Sequence, residues 1–334
     1  MKRLIIISLG LFILSCNQEK EVKYIELIGE AQGTTFFISY FDSLNRDFSD
    51  DIFNILTDFD SQVSTYKKSS GINEFNNNKL DTVWKLDYPY LHQSFIDSKE
   101  LKKYTNYHFD VGIYPIIQYL KSIDSIPTAG NKTFDSIRAS INRDYNVTDN
   151  YVAKLDPRSQ FNFNAIAQGY SVDVVCDYLN WKGITNYMVE IGGEVKVKGK
   201  SPSEKFWIVS LEAPNSEVKD RKVQESISLN NKSVVTSGSY RKFREVDGIK
   251  YSHAINPKTG FGVTHSLLSV SVITKECAIA DALATAFLVM GKEKTIELLD
   301  SNNQYNVSLL FIESNSDSTF ESSFYGGFEE YLVK

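Results

Sequence analysis

The chain has 334 residues, with 36 Lys and Arg against 42 Asp and Glu, and a formal net charge of −6. An acidic chain without a basic cluster binds nucleic acid poorly, so we expect no nucleic-acid partner. Its length suits one large domain, or two closely packed halves, with a sizeable core. Four histidines and three cysteines show no spacing typical of a zinc site.

The amino terminus resembles an export signal. Two basic residues precede an apolar run from Leu4 to Leu14, and Ser15 and Cys16 follow. A basic start, a short apolar core and a small residue before the break are typical of a secretory signal, not of a membrane span. We predict a signal peptide at 1–15, a tether at 16–23 lipidated at Cys16, and one domain at 24–334. The alternative is an ordinary signal peptide with an incidental cysteine.

The first half of the domain alternates between strand and helix patterns. Runs rich in β-branched and aromatic residues predict strands at Tyr24–Ile28 and Thr35–Phe41. Apolar residues at helical spacing predict a helix from Ile52 to Val63, and a second one is expected at Pro89–Tyr104. The polar stretch 123–150, with Pro127 and Gly130, predicts surface loops and a short helix.

The second half is more regular. Helices are predicted at Ala167–Leu179 and Glu276–Met290, the latter ended by Gly291. Strands are predicted at Tyr187–Ile191, Val195–Val197, Trp207–Leu211, Ser226–Leu229, Ser233–Thr236, Lys250–Ile255 and Leu267–Thr274. Strands and helices are mixed without regular βαβ alternation, which favours an α+β fold.

Cys176 and Cys277 lie in apolar helical stretches. Export would permit a disulfide between them. Buried free cysteines are nevertheless the more common state in such stretches. The sequence therefore favours two free thiols.

Asp281 and Thr285 are the charged and hydroxyl residues of an otherwise apolar helix, CAIADALATAFLVMG. Four residues apart, they lie on one helical face. A buried aspartate needs compensation. One explanation is a structural pairing, with Thr285 bonding its own helix backbone. The other is a cation site, because carboxylate and hydroxyl oxygens suit Mg2+.

Other candidate positions lie in loops. The segment NFNAIAQGY begins at Asn162 and opens a helix, where small residues allow close approach of a ligand and a helix start favours a phosphate. His253 precedes a turn containing Pro257 and Gly260, and its imidazole suits a general base, although a lone histidine is more often structural. Pattern alone does not separate these roles from packing.

Together these segments resemble the FAD:protein FMN transferase family, the ApbE-type flavin transferases. The matching motifs occur in family order over about residues 31–300. They read QGTTFFISY, STYKKSSGINEFN, HFDVGIYPI, NFNAIAQGYSVD, VEIGGEVKVKG, VVTSGSYRKF, HAINPKTG and ADALATAF. The resemblance implies a single α+β domain of mixed sheets and helices in two intimately packed halves, with FAD bound between them.

The resemblance also implies roles for individual residues. Asp281, Thr285 and the backbone oxygen of Ala165 match metal ligands, and His253 matches the catalytic position. The positions that match flavin contacts are Gln32, Tyr66, His108, Phe109, Asp110, Asn162, Gln168 and Ile255. Some residues depart from the common family pattern, in which methionine is usual at Gln32, aspartate at Asn162, a charged residue at Gln168 and proline at Gly262.

The resemblance implies Mg2+-dependent transfer of FMN from FAD to a threonine of an acceptor protein, with release of AMP. It also implies acceptors among membrane electron-transport subunits, such as those of the Na+-translocating NADH:quinone reductase. With the export signal, this predicts a lipid-anchored protein facing the periplasm. Two rival functions are an Mg2+-dependent FAD pyrophosphatase giving FMN and AMP, and a non-enzymatic flavin-binding lipoprotein.

Overall fold

The computed structural model describes residues 23–123, 127, 130–141, 145–214, 222–239, 243–246, 249–252, 254–315 and 319–333. The predicted signal peptide, Cys16 and His253 lie outside these described residues. Within the described part of the chain, no helix is long and apolar enough to cross a membrane.

The described chain begins with a hairpin of β1 (Lys23–Ala31) and β2 (Thr34–Asp42). The two turn residues, Gln32 and Gly33, have φ of 56° and 75°. Positive φ at both central positions is the property of a type I′ turn, whose twist suits a two-residue hairpin. The two predicted strands are confirmed. Strand β1 begins one residue before the predicted strand, at Lys23, which pairs with Asp42.

The rest of the first half is mainly helical. Its elements are α1 (Ser49–Val63), α2 (Gly71–Asn76), β3 (Thr82–Trp84), α3 (Pro89–Tyr104), a 3-10 turn (Val111–Ile113), α4 (Tyr114–Lys121), α5 (Lys132–Ile141), β4 (Tyr145–Val147) and β5 (Tyr151–Lys154). Helix α3 has the predicted bounds, since Pro89 occupies its first turn, where the missing N–H costs no hydrogen bond. Its buried side chains include Leu91, Phe95 and Leu101.

The second half supplies most of the sheet. Its elements are α6 (Ala167–Trp181), β6 (Tyr187–Ile191), β7 (Glu194–Lys198), β8 (Trp207–Glu212), β9 (Val223–Leu229), β10 (Lys232–Gly238), β11 (Phe243–Val246), β12 (Ile249–Ser252), β13 (Leu267–Thr274), α7 (Cys277–Met290), α8 (Lys292–Ser301), β14 (Ser308–Ser314), β15 (Phe320–Tyr325) and a 3-10 turn (Phe328–Tyr331). The predicted strand at Lys250–Ile255 is too long. Ile255 belongs instead to an isolated bridge with Gly262.

An eight-stranded antiparallel sheet organises the domain, in the order β1-β2-β6-β7-β10-β13-β14-β15. Helices α1, α3, α6 and α7 share the larger apolar core with one face of this sheet. The β8–β9 hairpin covers the other face through Trp207, Ile227 and Leu229, which pack on Val195 and Val197. Helices and antiparallel strands thus form separate layers, and the predicted α+β fold is confirmed.

Helices α6 and α7 approach closely at Gly169. A Cβ atom on Gly169 would lie 2.3 Å from the backbone oxygen of Cys277 and 2.8 Å from Cβ of Asp281. The Gly169 N–H donates to Oδ2 of Asp281 at 3.1 Å. One turn along α6, the Asp173 carboxylate accepts from the N–H groups of Cys277 and Ala278 at 3.0 and 2.8 Å. The first turn of α7 is therefore fixed to α6 by hydrogen bonds between carboxylate side chains and backbone N–H groups.

Cys176 and Cys277 are both buried and free. Burial raises the pKa of each thiol well above its usual range. Thiols that stay protonated are unreactive packing groups. Of the two states that the sequence left open, the structure has the free thiols.

Gly169→Ala tests the crossing of α6 and α7. The added methyl group meets backbone atoms of Cys277, which cannot move without shifting α7. We expect a loss of about 1–3 kcal/mol in the free energy of unfolding. Urea denaturation followed by circular dichroism measures it. Asp177→Ala, on the exposed side of the same helix, is the control, and an equally small effect of both substitutions would contradict the tight crossing.

Candidate functional site

A cavity of about 1100 Å3 opens where α1, α6, α7 and the loops at 108–113 and 254–262 meet. Pockets for drug-sized ligands occupy roughly 300–1000 Å3, so this one has room for a larger molecule. Every described residue that the resemblance assigns to flavin or metal lines it: Gln32, Tyr66, His108, Phe109, Asp110, Asn162, Ala165, Gln168, Ile255, Asp281 and Thr285. Residues more than 200 positions apart in sequence are thus brought to one site.

Gln32 reaches the cavity from the β1–β2 turn. Few side chains other than glycine, asparagine and aspartate adopt its left-handed backbone conformation. Its Nε2 atom is buried and has no hydrogen-bond partner among the described residues. A buried donor without an acceptor costs free energy, and such atoms at a cavity wall are suited to a ligand.

The 108–113 loop presents His108 and Asp110. Nδ1 of His108 lies 2.9 Å from the Thr105 carbonyl oxygen. Burial lowers the pKa of His108, so the ring is neutral near pH 7. A carbonyl only accepts, so Nδ1 carries the proton and Nε2 remains an acceptor. Asp110 forms a buried ion pair with Lys102 at 3.0 Å and accepts from the Gly112 N–H at 2.8 Å, which fixes the loop.

Asn162 joins two walls of the cavity. Its Nδ2 donates to Oγ1 of Thr65 at 3.2 Å, and its Oδ1 accepts from the Asn164 N–H at 2.8 Å. Asn164 in turn donates to the Tyr66 hydroxyl at 3.2 Å. Tyr66 is 74% exposed, so most of its ring is available at the mouth. The asparagine at 162 thus orients the segment before α6 without adding negative charge.

The loop at 254–262 closes another side. Gly260 donates its N–H to the Asn256 carbonyl oxygen at 2.7 Å, and Asn256 donates to the Phe261 carbonyl oxygen at 2.8 Å. Ile255 pairs with Gly262 in a bridge. The predicted turn after the strand is therefore present, and it holds Ile255 and Phe261 as apolar cavity wall.

Asp281 and Thr285 lie on one face of α7, as predicted, and both line the cavity. Asp281 is 5% exposed, and burial raises the pKa of its carboxyl to about 7. Its Oδ2 accepts from the Gly169 N–H. Oγ1 of Thr285 lies 3.3 Å from Oγ of Ser237 on β10. Among the described residues, the Thr285 hydroxyl therefore contacts the sheet and not its own helix backbone.

Sequence reasoning missed Glu194, which lines the same cavity from the start of β7. Burial and the charge of Asp281 raise the pKa of Glu194 well above its ordinary value. Its Oε2 atom is buried and unpartnered within the described chain. The sequence EVKVK reads as a strand with a solvent face, but that face meets α6 and α7. Glu194 follows the glycine pair of the VEIGGE motif, the signal that could have identified it.

A hard divalent cation fits these residues. No group of three or more His, Cys, Asp or Glu side chains in the described ranges is placed to hold a metal. Mg2+, however, also uses backbone carbonyl, hydroxyl and water oxygens. Asp281, Thr285 and Ala165 line one cavity, and their carboxylate, hydroxyl and backbone carbonyl oxygens are ligands of this kind.

Known proteins are similar to this chain over most of its length. The model of the ApbE family matches residues 32–311. The FAD:protein FMN transferase of Vibrio cholerae is 31% identical over 98% of this chain and 96% of its own length. That of Haemophilus influenzae is 31% identical over 90% of each chain.

Solved structures are also similar to this fold. The flavin transferase ApbE from Vibrio cholerae superposes with a TM-score of 0.80 at 30% identity, covering 93% of this chain and all of its own. The apo form of Pseudomonas stutzeri flavinyl transferase ApbE gives a TM-score of 0.80 at 27% identity, covering 93% of this chain and 97% of its own. The family predicted from the ordered motifs is thus confirmed, and the chain belongs to the ApbE family.

Proposed function

We propose that this protein transfers FMN from FAD to a threonine hydroxyl of an acceptor protein and releases AMP. The observation that carries the proposal is the convergence of all described flavin and metal candidates on one cavity. That cavity also holds a buried donor at Gln32 and a buried acceptor at Glu194, neither with a protein partner among the described residues. The names of the relatives, FAD:protein FMN transferase, support the same activity.

In this proposal Asp281, Thr285 and the Ala165 carbonyl hold Mg2+. When bound, the ion supplies positive charge that offsets the charge developing on the pyrophosphate oxygens. The start of α6 lies beside these residues, with Ala167 and Gln168 on the cavity wall. The positive end of the α6 helix dipole favours a phosphate at this position.

The transfer exchanges one P–O bond for another. The acceptor hydroxyl oxygen bonds to the phosphorus on the FMN side of the pyrophosphate, and the bond from that phosphorus to the AMP oxygen breaks. AMP departs with the bridging oxygen, and the hydroxyl proton passes to His253. Such a reaction depends mostly on positioning and on neutralising charge. Tyr66 and the loop at 254–262 would position the flavin end, and the neutral His108 would accept a hydrogen bond from the ligand.

We also propose that the chain is exported, lipidated at Cys16 and held on the periplasmic side of a membrane. This rests on the basic start, apolar run and Ser15-Cys16 pair of the sequence. Acceptors would then be exported parts of membrane electron-transport complexes. Fractionation of cells, followed by mass spectrometry of the amino-terminal peptide, checks the anchor.

Asp281→Asn tests the metal residues. The amide keeps the shape of the side chain but removes the charge that would hold the cation. We expect Mg2+-dependent turnover of FAD to fall by on the order of a hundredfold or more, with the fold retained in circular dichroism. Asp87→Asn, on an exposed loop, is the control, and wild-type turnover in Asp281→Asn would refute the metal assignment.

Transfer and hydrolysis are separated by following both products. The protein is incubated with FAD, Mg2+ and a flavin-free acceptor subunit of a Na+-translocating NADH:quinone reductase. We expect an FMN adduct on the acceptor by intact-mass spectrometry and an equal amount of AMP. Replacement of the modified threonine by alanine is the control. Free FMN without an adduct would indicate the pyrophosphatase, and unchanged FAD would indicate a binding protein.

His253→Asn tests the proposed base. Asparagine keeps a polar side chain but does not take up a proton near neutral pH. We expect the rate of adduct formation to fall by about 10²–10⁴-fold, while the Kd for FAD changes little in a fluorescence titration. An equal loss in rate and in affinity would make His253 a binding residue.

A further inference from the structure

Glu194 stands at the first position of β7, directly after Gly192 and Gly193. Its side chain lines the cavity that also contains Asp281 and Thr285. Glu194 is not among the metal ligands of the proposed function. Its side chain nevertheless lines the same cavity wall as Asp281.

The Glu194 carboxylate is enclosed but not satisfied. Oε2 is buried without a hydrogen-bond partner in the described chain. A Cβ atom on Gly192 would lie 3.1 Å from this oxygen and 2.3 Å from Nε2 of Gln168. The glycine thus leaves space for two polar side chains that converge from β7 and α6. A carboxyl group in this position either keeps its proton or, once ionised, needs a compensating cation.

A nearby carboxylate, that of Asp173, has a full set of partners and serves as a comparison. Asp173 accepts from Lys196 at 2.6 Å and from two N–H groups at the start of α7. Lys196 lies two residues after Glu194 in β7, so both side chains are on the same strand face. Its Nζ nevertheless bonds Asp173 and Glu276, at 2.6 and 2.7 Å.

Two carboxyl groups of the cavity wall, those of Glu194 and Asp281, therefore have no cationic side chain as a partner in the described chain. Among the described residues, neither Glu194 nor Asp281 forms an ion pair with Lys or Arg. A pyrophosphate ligand would add further negative charge beside them. A divalent cation resolves this arrangement, because it offsets two carboxylates and prefers oxygen ligands.

We propose that Glu194 is the second carboxylate of the divalent-cation site, acting with Asp281 and Thr285 as a ligand or through a bound water. This inference rests on the proposed function, which places Mg2+ at Asp281. Glu194 would be a ligand from the sheet, whereas Asp281 and Thr285 come from α7 and Ala165 from the segment before α6. The cation would then connect β7 to both helices.

Isothermal titration of the mature chain with MgCl2, without FAD, tests the assignment. Glu194→Gln keeps the size of the side chain and removes its charge. We expect its Kd for Mg2+ to rise about 10–100-fold. Glu194→Asp, which keeps the charge on a shorter side chain, should lose less affinity. Glu293→Gln removes the same charge from the exposed first turn of α8 and should bind as the wild type does.

Thermal denaturation provides a readout independent of turnover and shows that each variant folds. Without Mg2+, Glu194→Gln should melt at or above the wild-type Tm, because burying a neutral amide costs less free energy than burying an unpartnered carboxylate oxygen. With Mg2+, its gain in Tm should be smaller than that of the wild type.

The outcomes separate this inference from the proposed function. Wild-type Mg2+ affinity in Glu194→Gln, with loss of binding in Asp281→Asn, overturns the role of Glu194 and leaves the proposed function intact. Absence of Mg2+ binding by the wild type overturns the metal site itself, and the role of Glu194 with it. A lowered Tm of Glu194→Gln with unchanged affinity makes Glu194 a purely structural residue.

Discussion

The contact between α6 and α7 at Gly169 is the constraint on which the arrangement of this domain depends. With no side chain at 169, the backbone of α6 approaches within hydrogen-bonding distance of Asp281. The same approach allows Asp173 to cap the first turn of α7, which lacks partners for its N–H groups within the helix. Two adjacent turns of α6 therefore fix the position of α7 along its axis and its rotation about that axis. This contact therefore determines which face of α7, the one with Asp281 and Thr285, lines the cavity.

The buried carboxylates near this contact divide into two kinds. Asp173 has a lysine and two backbone donors, and it stabilises the helix packing. Asp281 has one backbone donor, and Glu194 has a buried oxygen without a partner in the described chain. These two less satisfied carboxyl groups both lie at the cavity wall. Natural proteins accept such local cost at functional sites, where a ligand supplies the missing partner.

Much of this fold follows from local sequence signals. Pro89 and the strand-forming run at Leu267–Thr274 predict the observed bounds of α3 and β13. Asp281 and Thr285 were recognisable because polar residues are conspicuous in an apolar helix. Their convergence with Gln32 was not recognisable from spacing, since tertiary packing brings these segments together; the ordered motifs supplied that expectation. Glu194 was missed because alternation in β7 suggests a solvent face, whereas α6 and α7 cover it.

The β1–β2 hairpin has a geometric consequence for an anchored protein. Lys23 is at one end of β1, and Gln32 follows its other end at the cavity. A strand advances roughly 3.3 Å per residue, so β1 spans on the order of 30 Å. Because β1 pairs with β2 along its whole length, it is a stiff spacer. If the segment before Lys23 holds the chain to a lipid surface, as proposed, the length of this strand separates the point of attachment from the cavity.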